Sequence, residues 1–348
     1  MSKIKLTILA LATALLLAGC GSSNGNGNSD GNSNGNDGNS SASQTASATP
    51  AAAVQASTPA ESAAGAFPVT IAHEMGSVTL EKAPERVVYL FQGAIDVGAA
   101  LGVKPVGAVE SVSEKPWFAY LGDMSGVANL GDEGQPNVEK IVELRPDLII
   151  GTKVRHEKIY DQLSAIAPTI MTADLAAWKD NLHVAGEALG KRDEAAKLIG
   201  DWDARLAEFR EKMGDKLATT EVSVIRIQRD NSVKVYLAGF PGLFMREVGF
   251  AVPKAQQVEF AGSGLDVLSK EHIPQFDADY IFDITTELPG QENVPKLYEE
   301  WTSHPLWQQM RAVKNGNYVR VDPIAWNFGA GPLAAKTMLE DLFKQFDV

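Results

Sequence analysis

Residues 139–150 read EKIVELRPDLII, and at an offset of 132 residues the pattern returns as EHIPQFDADYIF, 271–282. Each copy reads as a short amphipathic helix, a turn at Arg145-Pro146 or Asp277-Ala278, and a buried strand opening with Asp147 or Asp279. A weaker echo sets ALGVKPV (100–106) beside EVGFAVP (247–253), with Gly102 and Gly249 where a helix would be capped before a strand. Recurrence of one helix-turn-strand unit in both halves predicts two similar lobes.

Around these anchors strands are expected near 86–91, 104–109, 147–151, 222–228, 233–237, 279–284 and 317–321, with helical patterns between most of them. Alternation of this kind implies parallel sheets covered by helices. Between the halves, Leu198, Ile199, Trp202, Leu206, Phe209 and Met213 fall at three- and four-residue spacing, which predicts one long amphipathic helix over 193–217. At 1.5 Å per residue it spans roughly 37 Å, the length of a strut between lobes. The expected fold class is therefore α/β: two Rossmann-like lobes with parallel sheets, joined by one long interdomain helix and separated by a cleft.

Composition narrows the function. The chain has 348 residues, 45% of them apolar, and a single cysteine, which excludes a disulfide scaffold and a disordered polymer. The 44 acidic residues outnumber 31 basic ones and no basic run exceeds two, so a nucleic-acid partner is not expected. Of the net charge of -13, the body 67–348 carries -12, so a site for an anionic ligand would have to be a local basic exception.

The N-terminus reads as an address. Lys3 and Lys5 precede an apolar run from Leu6 to Ala18, too short to span a membrane comfortably. The run ends in Leu17-Ala18-Gly19-Cys20, which resembles the bacterial lipobox, in which the cysteine is lipidated. Residues 21–40 contain only Gly, Ser, Asn and Asp, and 41–66 continue with small and polar types, a composition that predicts a disordered tether. The domain organisation expected is a lipoprotein signal peptide at 1–20, the tether at 21–66, an N-terminal α/β lobe at 67–176, a helical segment with the lobe-bridging helix at 177–218, and a C-terminal α/β lobe at 219–348. The protein is expected outside the cytoplasm, lipid-anchored through Cys20 to the outer face of the bacterial membrane.

The segments APERVVYL (83–90), ALGVKPVGAV (100–109), NVEKIVELRPDLIIG (137–151), KVRHEKIYDQLSAIAPTI (153–170), WTSHPLWQQMRAVKNGNYVRVD (301–322) and AWNFGAGPLAAKTMLEDL (325–342) together resemble the class III, helical-backbone substrate-binding proteins of ABC importers. That group binds iron-siderophores and cobalamin, and the stretch 153–170 is most similar to its ferric hydroxamate and citrate-based siderophore branch. The resemblance implies a stiff two-lobed receptor, a monomer without a cofactor. Its ligand would be a ferric siderophore that itself holds the iron, and its partners an ABC permease and cytoplasmic ATPase.

It also suggests a site. Arg155, after the strand 148–151, matches a family arginine that contacts carboxylate ligands, and guanidinium suits them because its planar fork matches carboxylate geometry. Lys153 and His156 flank it. In the second lobe Arg229 matches the family arginine of its strand and is expected in the cleft in preference to Arg226, with Tyr236 on the next strand. Trp326 either packs on the chelate or anchors a buried loop, and Asn327 is a hydrogen-bond donor. Phe91 and Gln92 form the expected rim pair at the first strand's end, with Trp178 a further aromatic candidate. For permease docking the family uses one glutamate per lobe. Glu139 occupies the first position, whereas Gly242-Leu243 stands where the family has Gly-Glu, and Glu247 is the nearest acid.

Rival classes have weaker support. A cobalamin or haem receptor shares the fold and differs in the 153–170 segment. A zinc or manganese receptor needs converging His and carboxylate ligands, whereas His73, His156, His183, His272 and His304 are scattered. No nucleophile elbow, phosphate loop or zincin helix points to an enzyme.

Overall fold

The computed structural model describes residues 67–348. The leader, the tether and Cys20 lie outside the described residues. All described residues belong to the unit Pro59–Val348.

A hairpin of β1 (Val69–His73) and β2 (Gly76–Leu80) precedes the first lobe. The chain then runs through β3 (Val87–Tyr89), α1 (Gln92–Ala100), β4 (Gly107–Ala108), β5 (Ala128–Asn129), α2 (Val138–Leu144), β6 (Leu148–Thr152), α3 (Lys153–His156), α4 (Tyr160–Ser164) and β7 (Thr169–Thr172). Its sheet has the order β5-β4-β3-β6-β7 and is parallel throughout. Every residue of β3, β6 and β7 is buried, as both-face helix cover demands. Two helices follow, α5 (Trp178–Ala188) and α6 (Arg192–Met213).

The second lobe contains β8 (Val222–Ile227), β9 (Val233–Tyr236), α7 (Gly239–Val248), β10 (Gly264–Val267), β11 (Tyr280–Asp283), α8 (Val294–Thr302), α9 (Pro305–Gln309), α10 (Arg311–Lys314), β12 (Tyr318–Arg320) and α11 (Pro332–Phe346). Its sheet, ordered β10-β9-β8-β11-β12, is mixed. Strands β8, β11 and β12 are parallel, but β9 runs antiparallel to both neighbours. The reason is local: the short link 228–232 is long enough for a hairpin and too short for a crossover.

The echo seen in sequence has a structural counterpart. Asp147 accepts the N–H groups of Glu85 and Arg86, just before β3, at 2.9 and 2.8 Å, and Asp279 accepts that of Glu221, just before β8, at 2.9 Å. Each aspartate thus fixes the start of the neighbouring parallel strand. Gly102 and Gly249 adopt φ of 70° and 101° after α1 and α7, a conformation that glycine takes without steric penalty. The copies differ in one respect. The helix expected at 271–276 is a 3-10 turn over Lys270–Phe276, because Pro274 inside it lacks an N–H donor.

The lobes share one core. Apolar side chains pack continuously from the first sheet through α5 and α6 to α7 and α11, while a second cluster with Phe276, Trp301 and Trp307 fills the far side of the C-terminal sheet. On α6, Trp202 meets Trp178 edge-on at 5.3 Å and Phe244 of α7 at 5.6 Å, and Phe209 meets Phe343 of α11 at 5.2 Å. Arg205 of α6 grips Glu340 of α11 with two nitrogens, each at 2.8 Å. Arg210 donates to the last carbonyls of α7, those of Glu247 and Val248.

One joint is polar. Asp96 on α1, fully buried, accepts the N–H groups of Leu333 and Ala334 in the first turn of α11 at 2.9 and 3.1 Å, and the Tyr120 hydroxyl at 2.7 Å. It caps a helix of the other half of the chain. Close approach requires glycine: a Cβ at Gly331 would collide with the Asp96 carboxyl, and one at Gly329 with the Tyr120 hydroxyl.

Burial raises the Asp96 carboxyl to about 7, against the opposing pull of its three donors. Its unfolded value is about 3.9, so between roughly pH 4 and 7 the folded state holds a proton that the unfolded chain releases. This group's contribution to stability therefore declines as pH rises through that window. Urea unfolding of wild type and Asp96→Asn should show their difference moving against wild type from pH 4 to 7. Asp96→Ala should destabilise by about 1–3 kcal/mol, through orphaned helix donors.

Candidate ligand-binding cleft

A cavity of about 490 Å³ opens between the two lobes. The N-terminal wall takes a residue from the segment that follows each strand of the parallel sheet: Gln92 after β3, Val112 after β4, Glu133 after β5, Arg155 after β6 and Asp174 after β7. Loops at the carboxyl edge of such a sheet are where α/β proteins gather ligand contacts. The opposite wall comes from Tyr236 at the end of β9, Gly239 and Phe240 opening α7, Ser263 before β10, and Asn327, Phe328 and Ala330 after β12. A larger cavity, about 690 Å³, lies within the C-terminal lobe between α7 and the segment 250–260. It draws on one lobe alone and touches the cleft only through Tyr236, so the two-walled cleft is the better ligand site.

The polar centre of the N-terminal wall is an ion pair. Arg155 Nε stands 3.3 Å from Glu133 Oε1, and no described residue bonds its terminal nitrogens. Glu133 Oε2 accepts the Gln92 N–H at 3.2 Å. Burial pushes the Glu133 carboxyl up, opposed by that N–H and by Arg155. Beneath the pair lies His156. The Thr152 N–H donates to its Nδ1 at 3.1 Å, which leaves the ring proton on Nε2 to donate to the Glu133 carbonyl at 2.9 Å. Burial lowers the histidine, consistent with this neutral form.

The wall is not basic. Asp132, Glu133 and Asp174 outnumber Arg155, contrary to the local basic exception expected of an anion site. Asp132 and Asp174 are there to turn loops, accepting the N–H groups of Gly134 at 2.7 Å and Ala176 at 2.6 Å.

Of the residues singled out from sequence, the structure brings Phe91, Gln92, Arg155, Tyr236 and Asn327 together on the cleft. Five others lie elsewhere. Lys153 sits half-buried on α3 outside the lining, and His156 is buried beneath the surface. Trp178 packs between α5 and α6. Trp326 is buried, its indole N–H bonded to Asp341 at 2.9 Å and its ring 4.7 Å from Phe282, so it anchors the π-helical turn Ile324–Phe328 that presents Asn327 and Phe328. Arg229 is exposed in the β8–β9 turn, where its carbonyl accepts from Asn293. Arg226, passed over in sequence, lies 5.3 Å from the Phe328 ring, and its buried Nε has no hydrogen-bond partner. Strand alternation explains the exchange: Arg226 follows Val222 and Val224 on the face toward α7, whereas Arg229 lies beyond the strand's end.

The docking glutamates differ in state. Glu139 is exposed in the first turn of α2, but Glu247 is bonded to Lys179 and, at 3.1 Å, to the Trp202 indole, so its carboxylate already serves the helix joint. Sequence reading missed Glu133, Asp174, Phe240, Ser263 and Phe328. Glu133 follows a two-residue strand with no periodic signal, and Phe328 was hidden by its larger neighbour Trp326. Among the described residues, no group of three or more His, Cys, Asp or Glu is arranged to hold a metal ion.

Comparison with known proteins gives a consistent picture. The family model described as periplasmic binding protein matches residues 87–325. The probable siderophore-binding lipoprotein YfiY of Bacillus subtilis is 43% identical over 285 residues, covering 80% of this chain and 87% of that protein. The achromobactin-binding periplasmic protein of Dickeya dadantii is 38% identical over 74% of this chain and 85% of its own. Among solved structures, Staphylococcus aureus SirA complexed with staphyloferrin B superposes with a TM-score of 0.74 at 38% identity, covering 80% of this chain and 98% of that one.

His156→Ala should release the loop carrying Glu133 while leaving the sheet intact. We expect a loss of about 1–3 kcal/mol in urea unfolding, with faster amide exchange confined to residues 131–135 and Thr152.

Proposed function

The chain belongs to the periplasmic binding protein family, and from that membership we propose that it is the receptor of an ABC iron importer, binding a ferric siderophore in the cleft and delivering it to a membrane permease. It is a transport protein and not an enzyme. The observation that carries this reading is that relatives named for siderophores, at 38–43% identity, extend over about three quarters or more of the chain. The ligand class is a citrate-based or hydroxamate-type ferric siderophore, whose iron is cargo held by the chelate.

Arg155 supplies two free terminal nitrogens on one wall, and Arg226 brings a second guanidinium behind Phe328 on the other. Tyr236, Phe240 and Phe328 offer apolar faces to the organic backbone of a chelate, and Gln92 and Asn327 line opposite walls as hydrogen-bonding groups. Residues 1–20 serve as the export leader, Cys20 as the lipid attachment point, and 21–66 as the tether of an extracytoplasmic body made of lobes 67–176 and 219–348 around the helical segment 177–218. Glu139 is the permease contact of the first lobe. Relatives named as lipoproteins support the anchor.

Titration of the protein with ferric chelates, cobalamin and zinc, read by quenching of its six tryptophans, tests the reading. Saturable quenching by a ferric siderophore and not by its iron-free form is expected; binding of cobalamin or zinc alone would overturn it. Arg155→Ala and Arg226→Ala should each weaken an anionic chelate by about 1–3 kcal/mol, and Arg229→Ala should leave affinity unchanged. Glu139→Ala should preserve binding and reduce uptake by cells.

A further inference from the structure

The cleft holds a carboxylate where capture of an anion gives no use for one. Glu133 is fixed at both ends: its side chain by the Gln92 N–H and by Arg155, its backbone by His156. These contacts hold its carboxylate on the cleft wall beside Arg155. The other acids of the wall, Asp132 and Asp174, are exposed, where water and salt screen them, whereas the Glu133 side chain is only 18% exposed. The remaining charges around it are Arg155 from α3 and, across the cleft behind Phe328, Arg226 from β8; His156 beneath it is neutral.

We propose that Glu133 is the charge-selecting residue of the cleft: paired with Arg155, it sets the site to accept chelates of low net negative charge and to disfavour more highly anionic ones. The inference rests on the receptor reading above. A guanidinium alone would draw any anion, and more strongly with each added charge. With a fixed carboxylate 3.3 Å from its Nε, Arg155 still offers its terminal nitrogens to one carboxylate of a ligand, but the pair has no net charge with which to attract a second. Arg155 thus recognises shape and hydrogen-bond pattern, while Glu133 removes the reward for extra charge.

Glu133→Gln keeps the size and an acceptor for the Gln92 N–H and removes only the charge. Dissociation constants of wild type and Glu133→Gln would be measured by tryptophan quenching for ferric chelates of graded net charge, from polyanionic ferric dicitrate to a cationic ferric trihydroxamate. The variant should gain about tenfold in affinity for each added negative charge and gain nothing for the uncharged or cationic chelates. Glu157→Gln, which removes an exposed carboxylate outside the cleft lining, should change the same constants less than threefold. Glu133→Gln combined with Arg155→Gln, which restores the net charge, should return the charge preference of wild type. Lowering the pH should bring wild type toward the variant, because protonated Glu133 is neutral as glutamine is. Equal weakening of all chelates by Glu133→Gln would make the residue a structural strut and overturn the proposal, as would an equal gain across charges. If wild type binds no ferric chelate, it is the receptor reading that fails, and the two failures are distinct.

Discussion

The buried carboxylate of Asp96 is the constraint on which the cleft depends. It receives two N–H groups from the first turn of α11, so the last helix of the chain begins against α1 of the first lobe. The segment just before that turn, 324–331, therefore cannot drift with the second sheet from which it emerges. Its Asn327, Phe328 and Ala330 are held opposite Phe91 and Gln92 across the cleft. The sequence Gly329-Ala330-Gly331-Pro332 serves this geometry: two glycines admit Asp96 and Tyr120, and Ala330 takes a left-handed φ of 53° between them. Proline at the first helical position gives up an N–H that would have had no partner in the helix.

A polar joint of this kind works because apolar packing surrounds it. The core runs without interruption from the first sheet through α5 and α6 into α7 and α11, with Trp202 and Phe209 as its bridging side chains. Opening the lobes about a single flexible strand would be a matter of a few torsions. Opening them here would separate Trp202 from Phe244, break the two-nitrogen grip of Arg205 on Glu340, and detach Glu247 from Lys179 and Trp202. Close-packed interfaces resist graded deformation, so the two walls stay near one separation and the cleft is largely preformed. A preformed site loses little entropy on binding and discriminates by fit.

Much of the fold was legible in the sequence because it rests on local rules. Asp147 and Asp279 were visible as the heads of repeated strands, Gly102 and Gly249 as helix stops, and Trp202, Leu206 and Phe209 as the buried stripe of the bridging helix. The antiparallel course of β9 was legible in principle, since five linking residues cannot cross a sheet. The cleft was legible in part. Arg155 and Gln92 follow strands that periodicity finds, whereas Glu133 follows a strand of two residues and owes its place to His156, a partner 23 residues away. For Trp326 the two readings left open in sequence are separated only by tertiary contacts with Asp341 and Phe282, and Arg229 lies beyond the end of β8, where alternation no longer says which way a side chain points. Glu247 shows the same limit for a helix. Its nearness to the expected docking position says nothing of its partners, and only the tertiary structure brings Lys179 and Trp202 to its carboxylate.

Charge and burial together decide how so acidic a body would hold the anionic chelate proposed for it. Long-range attraction is absent from a chain of net charge -13, and the N-terminal wall adds three carboxylates to one guanidinium. Recognition must therefore come from short-range bonds in a site of reduced dielectric. Arg226 is placed for this. Its terminal Nη2 donates to Gln291 Oε1 at 3.4 Å, while its buried Nε, beside the Phe328 ring, keeps a donor without a partner that an incoming acceptor could use. Arg155 lines the N-terminal wall, whereas Arg226 stands behind Phe328 outside the lining, so on the proposed receptor reading only a ligand that spans the cleft and reaches past Phe328 would engage both. A small free carboxylate can satisfy one of them, and the acids beside Arg155 then count against it. For the proposed receptor, a preference for a bulky chelate over its fragments would follow from the separation of the two arginines and from the stiffness of the joint that maintains it.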